Sequence, residues 1–535
     1  MRAMMNHRTV RLGATAAMLG LAMISLANCS GDETTPQVAP GGSAALQGPI
    51  AFVRNTGDKT LTSVALKGDS GNAVLGTIAP ATFENAALGD MQFSEGEWVF
   101  MNLGAANKVA TIDPLTGAVP VHKANLATGT RPVHMYRDST DGEVIWSMND
   151  GDNAVGTLTP GDDLINCNNP ARVGGPVVGG SVTILQNSHL GPGATPPVVI
   201  KTECILADGH KVTAFSSGAG VPKRVFVSST TAGEVAVIDN DPANVATYRK
   251  LIGRVDLCNQ IKENGLAAPA TCNDESATLL TTAFTPNSSS PHGIRWSKLT
   301  KKVYSIQQNY KEIAEIDPTT LAITNRFDLS ATPYTGYGIT PNGRFLLLRG
   351  DTTPATGTKL GVIDLGTAGT PRTDFTIAAL DGTSPGSFKF SPDGKRFYIL
   401  AGNVATATKK DRLFAFDSST LTAAVPSLTL LREIVLPETG GHGMDVLAQG
   451  AAGAGEAKHI VVSNSTDNSV SIINATDNLI KQTVSVGLTP GGVMVYYPGA
   501  AAAGNQATAA VTSGGTDATE SSLLPERLDD HGMPE

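Results

Sequence analysis

The sequence is poor in aromatic and charged residues, and it has no cluster of basic residues. Aromatic residues make up 5% of the 535 residues, charged residues make up 16%, and the formal net charge is −9. An acidic chain without a basic patch has no electrostatic basis for binding nucleic acid, which is therefore not an expected partner. Glycine is abundant instead, with 58 residues, and this is typical of a β protein with many turns.

The motifs of familiar catalytic and cofactor sites are also missing. The chain contains no CxxC or CxxCH, no glycine-rich phosphate loop and no HExxH, and its one GxSxG match, GTSPG (382–386), lies at an opening of the repeat described below and not at a strand-to-helix turn. No reaction can therefore be assigned from a motif, and a hydrolase in particular has no support. If the chain is an enzyme, we expect a cofactor-dependent oxidoreductase.

The first 28 residues have the pattern of a secretory signal peptide. Arg2, Arg8 and Arg11 form a basic head, and an apolar stretch follows at 12–27. This stretch is too short and wrongly flanked for a permanent transmembrane helix. The sequence therefore predicts that the protein is exported.

Cys29 lies just after the apolar stretch and resembles the lipid-bearing cysteine of a bacterial lipoprotein. Lipid chains on one residue anchor a protein to a membrane face without spanning the membrane. We expect residues 29–47 to form a lipidated, flexible tether at the bacterial cell envelope, with the protein on its periplasmic or surface face. Ser30 after the cysteine favours the outer membrane over the inner one. The alternative is an ordinary secreted protein with a chance cysteine at this position.

Four further cysteines predict two disulfides. An even number in an exported chain favours disulfide bonding, and three pairings are open. The pairs Cys167–Cys204 and Cys258–Cys272 are favoured because each falls inside one over-long repeat. We expect the two bonds to close insertions at about 160–208 and about 256–290 that have too little core of their own.

A unit of four strands recurs along the chain. Each unit has a Gly- or Pro-led opening, an apolar strand, an alternating strand that ends in Asp or Asn, and a closing strand. Alternation is what a half-buried strand requires, and the terminal Asp or Asn caps the following turn. The alternating strand recurs as VATID (109–113), VAVID (235–239), IAEID (313–317), LGVID (360–364), LFAFD (413–417) and VSIIN (470–474), with weaker copies LTSVA (61–65) and VGTLT (155–159).

Four strands per unit predict a single β-propeller, which is an all-β fold. Eight openings predict eight four-stranded blades, with seven as the alternative if one weak copy is an insertion. The last opening has no strands after it, and IAFVRN (50–55) has none before it. We therefore expect the N- and C-terminal strands to pair in one blade that closes the ring. The propeller would span 48–498, and residues 499–535, poor in large apolar side chains, would form a disordered tail.

One unit resembles the YVTN family of β-propeller repeats. The resemblance rests on SPGSFKFSPDGKRFYIL (384–400), TPGGVMV (489–495) and VSIINATDN (470–478), and it covers about 48–498. It implies the propeller fold and little about function, because such propellers serve as surface-layer proteins, binding modules and cofactor-bearing enzyme domains. Dissimilatory haem nitrite reductases carry a more distant eight-bladed relative, in which a channel histidine ligates the haem. The covalent-haem domain of those enzymes is missing here.

Four of the nine histidines fall at the opening of a repeat: His134, His210, His292 and His442. The first strand of each blade lines the channel of a propeller, so we expect these side chains around one channel mouth. Imidazole is a common ligand of copper, zinc and iron, and the sequence therefore predicts a metal or haem site. The alternative is a repeat position that favours histidine because its ring hydrogen-bonds a neighbouring blade, without any ligand.

The channel mouth is thus the candidate functional site. Asp90 and Tyr337 occupy the same repeat position in other blades and would add oxygen ligands. The first hypothesis is an exported, lipid-anchored binding or scaffold module of the bacterial envelope. Its partners would be the membrane, through the lipid, and another envelope protein or a small ligand at the mouth. The second hypothesis is a redox or metal protein that holds copper or haem through the histidines. Acid–base catalysis has less support, because no paired carboxylates or oriented nucleophile accompany these histidines in the sequence.

Overall fold

Eight antiparallel sheets follow one another in a computed structural model of the protein. Each sheet has four strands, and one of them gains a short fifth strand. The predicted all-β fold with eight blades is confirmed. The structure describes residues 48–497 apart from 95–97, 113–120, 127–129, 151–167, 170–176, 179, 187–196, 206–208, 268, 270–271, 273–276, 279–285, 331–333, 351–357, 404–409, 438–442 and 450–454.

The blades are numbered in chain order, and the innermost strand of each is given first. Blade 1 contains β35 (Pro490–Tyr496), β1 (Ile50–Asn55), β2 (Thr60–Ala65) and β3 (Ala73–Ile78), and blade 2 contains β4 (Met91–Ser94), β5 (Trp98–Leu103), β6 (Lys108–Ile112) and β7 (Val121–Asn125). Blade 3 contains β8 (Pro132–Arg137), β9 (Val144–Asn149), β12 (Ser181–Gln186) and β13 (Val198–Cys204). Blade 4 contains β14 (Lys211–Ser216), β15 (Arg224–Ser229), β16 (Glu234–Asp239), β17 (Leu251–Asp256) and the short β18 (Ala277–Thr278).

Blade 5 contains β19 (Pro291–Ser297), β20 (Lys302–Gln307), β21 (Glu312–Ile316) and β22 (Ile323–Asp328), and blade 6 contains β23 (Tyr334–Ile339), β24 (Phe345–Gly350), β25 (Thr358–Asp364) and β26 (Arg372–Thr376). Blade 7 contains β27 (Thr383–Phe390), β28 (Arg396–Asn403), β29 (Arg412–Asp417) and β30 (Thr429–Val435), and blade 8 contains β31 (Met444–Ala448), β32 (Ala457–Asn464), β33 (Ser469–Asn474) and β34 (Leu479–Ser485). Outside the blades, β10 (Asn168–Asn169) pairs with β11 (Val177–Val178), one α-helical turn, α1, spans Gln260–Glu263, and 3-10 turns span Pro80–Phe83, Gly104–Ala106, Ala378–Leu380 and Ser419–Thr422.

Blade 1 joins the two ends of the described chain. The innermost strand β35 pairs antiparallel with β1, so this blade takes one strand from the C-terminal side and three from the N-terminal side. Strand β35 also contacts β31 of blade 8 and β4 of blade 2. The predicted closure of the ring is confirmed, and it leaves no open sheet edge at the join.

The Pro-led opening of the repeat is a β-bulge at the start of the innermost strand. The ladder register shifts after Pro132 in blade 3, after Pro291 in blade 5 and after Pro385 in blade 7. Each proline pairs in the ladder, with Asn149, Gln307 and Ala401 respectively, and the extra residues of the bulge follow it. Proline is tolerated here because the innermost strand is an edge of its sheet. A bulge also re-aims the neighbouring side chains, so it affects the direction of the residues that follow each proline.

The hydrophobic core lies where the faces of neighbouring blades meet. Strands β5 and β9 are buried along their whole length, whereas the outer strand β22 exposes residues at several positions. Trp98, Trp146 and Trp296 are each at most 1% exposed, and complete burial of a large side chain contributes roughly 3 kcal/mol. At Gly338 an added Cβ would lie 2.4 Å from the ring of Phe388 in blade 7, so these blades pack closely because the residue is glycine.

One predicted disulfide is observed in full. Cys258 and Cys272 are bonded, with their Cα atoms 6.0 Å apart, and they close the long segment that follows β17. Cys204, at the end of β13, is disulfide-bonded as well. Cys167 lies outside the described residues, so its pairing stays a prediction.

Blade 3 differs from the sequence-based expectation. Its third strand is β12, which pairs with β9, whereas the expected VGTLT (155–159) lies outside the described residues. Strands β12 and β13 fall inside the segment of about 160–208 that the sequence assigns to an insertion. SVTILQ in β12 alternates apolar and polar side chains as well as VGTLT does, so alternation alone did not distinguish the two candidates.

Both predicted ends of the chain lie outside the described residues. This holds for the signal peptide at 1–28, Cys29, the tether at 29–47 and the tail at 499–535, which all stay predictions. Within the described part of the chain, no helix has the length and apolar character needed to cross a membrane.

Candidate histidine site at the channel mouth

Three of the four predicted histidines lie together on consecutive blades. His134 is on β8 of blade 3, His210 directly precedes β14 of blade 4, and His292 is on β19 of blade 5. The ring centroids of His134 and His210 are 4.7 Å apart, and those of His210 and His292 are 5.0 Å apart. His442, the fourth predicted ligand, lies outside the described residues. We call His134, His210 and His292 the histidine cluster.

His134 is held by a carboxylate from the preceding blade. It directly follows the bulge after Pro132, and its Nδ1 is 3.2 Å from Oδ2 of Asp90, directly before β4. The same Asp90 oxygen accepts a 3.4 Å contact from the backbone N–H of Met135. The other ring nitrogen, Nε2, faces Nε2 of His210 at 3.0 Å.

His210 has a matching arrangement. Its Nδ1 is 2.5 Å from Oδ2 of Asp150, which directly follows β9. Its backbone N–H donates to Oγ1 of Thr230 at 2.9 Å, which fixes the main chain beside β15. Gly209 has φ +85°, and an added Cβ would lie 2.2 Å from Oγ1 of Thr231, so only glycine fits before this histidine.

Asp150 is ionised next to His210. Burial raises the pKa of this carboxyl, but the hydrogen bond from His210 and the electrostatic attraction of His210, Lys211 and His134 outweigh it, so its pKa lies below the usual range. The ionised carboxylate of Asp150 accepts a hydrogen bond from Nδ1–H of His210. Nε2 of that ring is then left to face His134.

His292 lies beside the nitrogen pair. It is in the bulge between Pro291 and Ile294, and the following Gly293 has φ +141°. Its ring stacks on that of His210 with an interplanar angle of 17°. His292 thus covers one face of His210, and it is half-buried.

The pair of Nε2 atoms has the geometry of a two-nitrogen metal site. Each ring binds a carboxylate through Nδ1, which is the arrangement that commonly fixes metal-ligating histidines. Two nitrogens that each lie about 2.0–2.1 Å from one ion are separated by at most about 4 Å, and 3.0 Å falls within that reach. As they stand, the described residues contain no group of three or more His, Cys, Asp or Glu side chains arranged to hold a metal ion.

Two oxygen ligands expected from the sequence have other roles. Tyr337 is fully buried, and its hydroxyl donates to the carbonyl oxygen of Tyr304 at 2.5 Å, so it does not reach the mouth. Asp90 is at the mouth, but it contacts the Nδ1 of His134 and stands behind the ring. Sequence reasoning missed Asp150, because this residue follows the second strand of a blade and belongs to no repeated motif.

The fold is similar to several solved structures. Dihydro-heme d1 dehydrogenase NirN, solved in complex with DHE, matches with a TM-score of 0.51 and 14% identity over 88% of this chain and 79% of NirN. The periplasmic gluconolactonase PpgL of Pseudomonas aeruginosa matches with a TM-score of 0.45 and 14% identity, over 84% of this chain and 99% of PpgL. Apo AztD from Citrobacter koseri matches with a TM-score of 0.46 and 13% identity, over 84% of this chain and 97% of AztD. No protein family and no curated protein matches the sequence. At these identities the similarity to NirN shows the propeller fold alone.

Proposed function

We propose that the protein is a binding module that holds a divalent transition-metal ion at the channel mouth. His134 and His210 bind the ion through Nε2, and His292 supplies a third imidazole. The observation that carries the proposal is the pair of Nε2 atoms 3.0 Å apart, with a carboxylate at the Nδ1 of each ring. Because both rings are already oriented, the ion binds with little reorganisation of the protein.

The charges around the pair favour a cation. Asp90 and Asp150 place two carboxylates behind the rings of His134 and His210, so a divalent ion between the rings is compensated. In the absence of an ion, the contact between the two Nε2 atoms holds one proton, since one of them has to donate. The ion takes the place of that proton, and binding therefore releases a proton to the solvent.

The arrangement fits a single ion better than haem. Imidazole nitrogen suits zinc, copper, nickel and iron, and copper(II) has the highest affinity among the divalent ions of the series. A haem iron needs an axial nitrogen that faces an open plane. The Nε2 atoms of His134 and His210 face each other instead, and His292 covers one face of His210. Of the two cofactors that the sequence suggests, copper and haem, we therefore favour copper. Zinc would compete with copper for the same site.

The proposed place of action is the bacterial cell envelope. The signal-peptide pattern and Cys29 support a lipid anchor, and Ser30 supports the outer membrane. The YVTN-type repeat supports a module that presents a site to other molecules at the cell surface or in the periplasm. We propose another envelope protein as the partner that delivers or receives the ion at the mouth.

A metal titration tests this function. Protein purified without chelator is analysed for bound metal, stripped, and titrated with copper(II), zinc(II) and nickel(II) by calorimetry against a competing chelator. We expect one ion per chain. His134→Ala and His210→Ala should each weaken binding by roughly 100-fold or more, and Asp150→Ala by roughly 10- to 100-fold, because it frees the ring of His210.

His459→Ala is the matched control. Its Nε2 lies 2.7 Å from Oδ1 of Asp69 on blades 8 and 1, so this change also removes a histidine–aspartate pair, but outside the histidine cluster. Its metal affinity should equal that of the wild type. A wild type that takes up none of the three ions, or variants of His134 and His210 that bind as tightly as the control, would contradict the proposal.

A further inference from the structure

We propose that Glu263 is a positioning residue for His292, and that the insertion of blade 4 orients one side of the histidine cluster. This inference rests on the proposed metal-binding function, because it concerns the same site. The insertion runs from the end of β17 to the start of β19, through residues 257–290. It leads directly into Pro291 and His292, so the contacts that fix its last residues also fix this histidine.

Glu263 binds the end of the insertion. It is the last residue of α1 and is 0% exposed. Its carboxylate accepts hydrogen bonds from the backbone N–H of Ser288 at 3.1 Å and from the Ser288 hydroxyl at 2.7 Å. The hydroxyl of Tyr310, between β20 and β21, also donates to it. A buried carboxylate is costly unless its oxygens are satisfied, and these donors join the insertion to blade 5 through one group.

The turn between β20 and β21 holds the same residues from the other side. The backbone N–H of Gln308 donates to the carbonyl oxygen of Ser290 at 3.2 Å, and that of Asn309 donates to Ser289 at 3.2 Å. The side-chain amide of Asn309 donates to the carbonyl oxygen of Ser288 at 2.8 Å. Three consecutive residues before Pro291 are thus clamped between Glu263 and this turn.

The clamp holds a strained backbone. Ser290 has φ +51°, a left-handed conformation that a non-glycine residue rarely adopts, and it directly precedes a proline. Such a conformation persists only where surrounding contacts impose it. If the clamp is loosened, Ser290 relaxes to an extended conformation, and the direction of His292 two residues later changes with it.

Both ends of the insertion are anchored to blade 4. The disulfide Cys258–Cys272 brackets α1, and both cysteines are buried. The side-chain amide of Asn287 donates to the carbonyl oxygen of Gly233 at 2.8 Å and to Oδ1 of Asp256 at 2.9 Å. Glu263 is therefore a fixed support for the clamp.

A double-mutant cycle tests the inference. Copper(II) affinity is measured for the wild type, Glu263→Gln, His292→Ala and the double variant. Hydrogen exchange of the amides at 288–290 and 292–293 is followed in the same full-length proteins. We expect Glu263→Gln to weaken copper binding roughly 10-fold in the wild-type background and not at all in the His292→Ala background. Exchange at these amides should become at least about 10-fold faster. Ser288→Ala, which removes one of the donors, serves as a milder second variant if Glu263→Gln does not fold.

Glu315→Gln is the control, because Glu315 on β21 likewise accepts from a tyrosine hydroxyl, that of Tyr304 at 2.9 Å. It should change neither copper affinity nor exchange near His292. The inference is overturned if Glu263→Gln leaves affinity and exchange unchanged, or weakens binding equally in both backgrounds. If the wild type binds no copper, the proposed function fails, and the exchange measurement still decides whether Glu263 holds the segment before His292.

Discussion

The carboxyl of Asp256 should make the stability of the protein fall as the pH rises towards neutrality. Burial raises the pKa of Asp256 to about 7, although hydrogen bonds from the Cys258 amide and Asn287 and the charges of Arg254 and Arg326 lower it. An aspartate in an unfolded chain has a pKa of about 3.9. Between these two values the folded protein holds a proton that the unfolded chain has released, so the free energy of unfolding decreases as the pH rises through this window.

The size of the effect follows from the raised pKa. A shift of about three units corresponds to about 4 kcal/mol, and about 2.5 kcal/mol of this falls between pH 5 and pH 8. Asp256→Asn keeps an oxygen that can accept from the Cys258 amide and Asn287, but it cannot ionise. We expect the free energy of unfolding of the wild type, relative to this variant, to fall by about 2.5 kcal/mol from pH 5 to pH 8. Urea unfolding followed by the fluorescence of the three buried tryptophans measures it.

Asp317→Asn is the control for this measurement. Burial opposes ionisation of Asp317, but hydrogen bonds from Lys302 and from the amides of Thr320 and Thr319 lower its pKa to about 2. Its folded and unfolded pKa values both lie below 5, so its loss should give no pH-dependent difference between pH 5 and pH 8. If Asp256→Asn and the wild type show the same pH dependence over this range, Asp256 is already ionised in the folded protein and the reasoning is refuted.

Two further predictions concern the ends of the chain. Deletion of 489–498 removes β35, the innermost strand of blade 1, so soluble yield should collapse, whereas deletion of 505–535 should leave yield and gel-filtration volume unchanged; a stable monomer after the first deletion would disprove the role of β35 in closing the ring. Cys29→Ser should release the protein from the membrane fraction or leave the signal peptide uncleaved, and a wild type that is already soluble with another N-terminus would rule out the lipid anchor.

Much of the fold could be predicted because the number of repeat openings in the sequence gives the number of blades. Several blades begin with an opening such as the one at Pro291 or Pro385, and in the structure a bulge of the innermost strand follows the proline. Blade 3 was harder, because its second and third strands are separated by residues 150–180. The alternation of apolar and polar side chains fitted two candidates for the third strand, VGTLT (155–159) and SVTILQ (181–186). In the structure the second of these, β12, pairs with β9.

The site could be predicted only in part. A repeat position has the same place in every blade, so the histidines at 134, 210 and 292 could be expected near one another. Asp90 could be expected at the mouth as well, but its contact with Nδ1 of His134 could not, and Asp150 could not be expected at all, because each contact depends on how one blade is turned against the next. Asp150 contacts a histidine 60 residues later in sequence. Tyr337 shows the limit of the same reasoning, since the bulge of blade 6 lies between Tyr334 and Gly336, and Tyr337 already points into the core.

The histidine cluster and the two long repeats occupy the same part of the ring, and this has a physical reason. In repeats of ordinary length, single side chains contact the opening, as Arg349 does at Pro385 and Ser463 does at Gly443. A ligand has to keep its direction to within a few tenths of an ångström, and at His292 a bulge gives up ladder bonds. The segment that separates β9 from β12 begins at Asp150, which holds His210, and the insertion of blade 4 ends at Pro291, next to His292. Each long segment thus supplies contacts beside one histidine, Asp150 at His210 and the clamp of residues 288–290 at His292. Because Cys258–Cys272 brackets α1 and so holds Glu263 in place, we expect the change of both cysteines to serine to weaken copper(II) binding in the calorimetric titration, whereas the control Glu315→Gln leaves it unchanged.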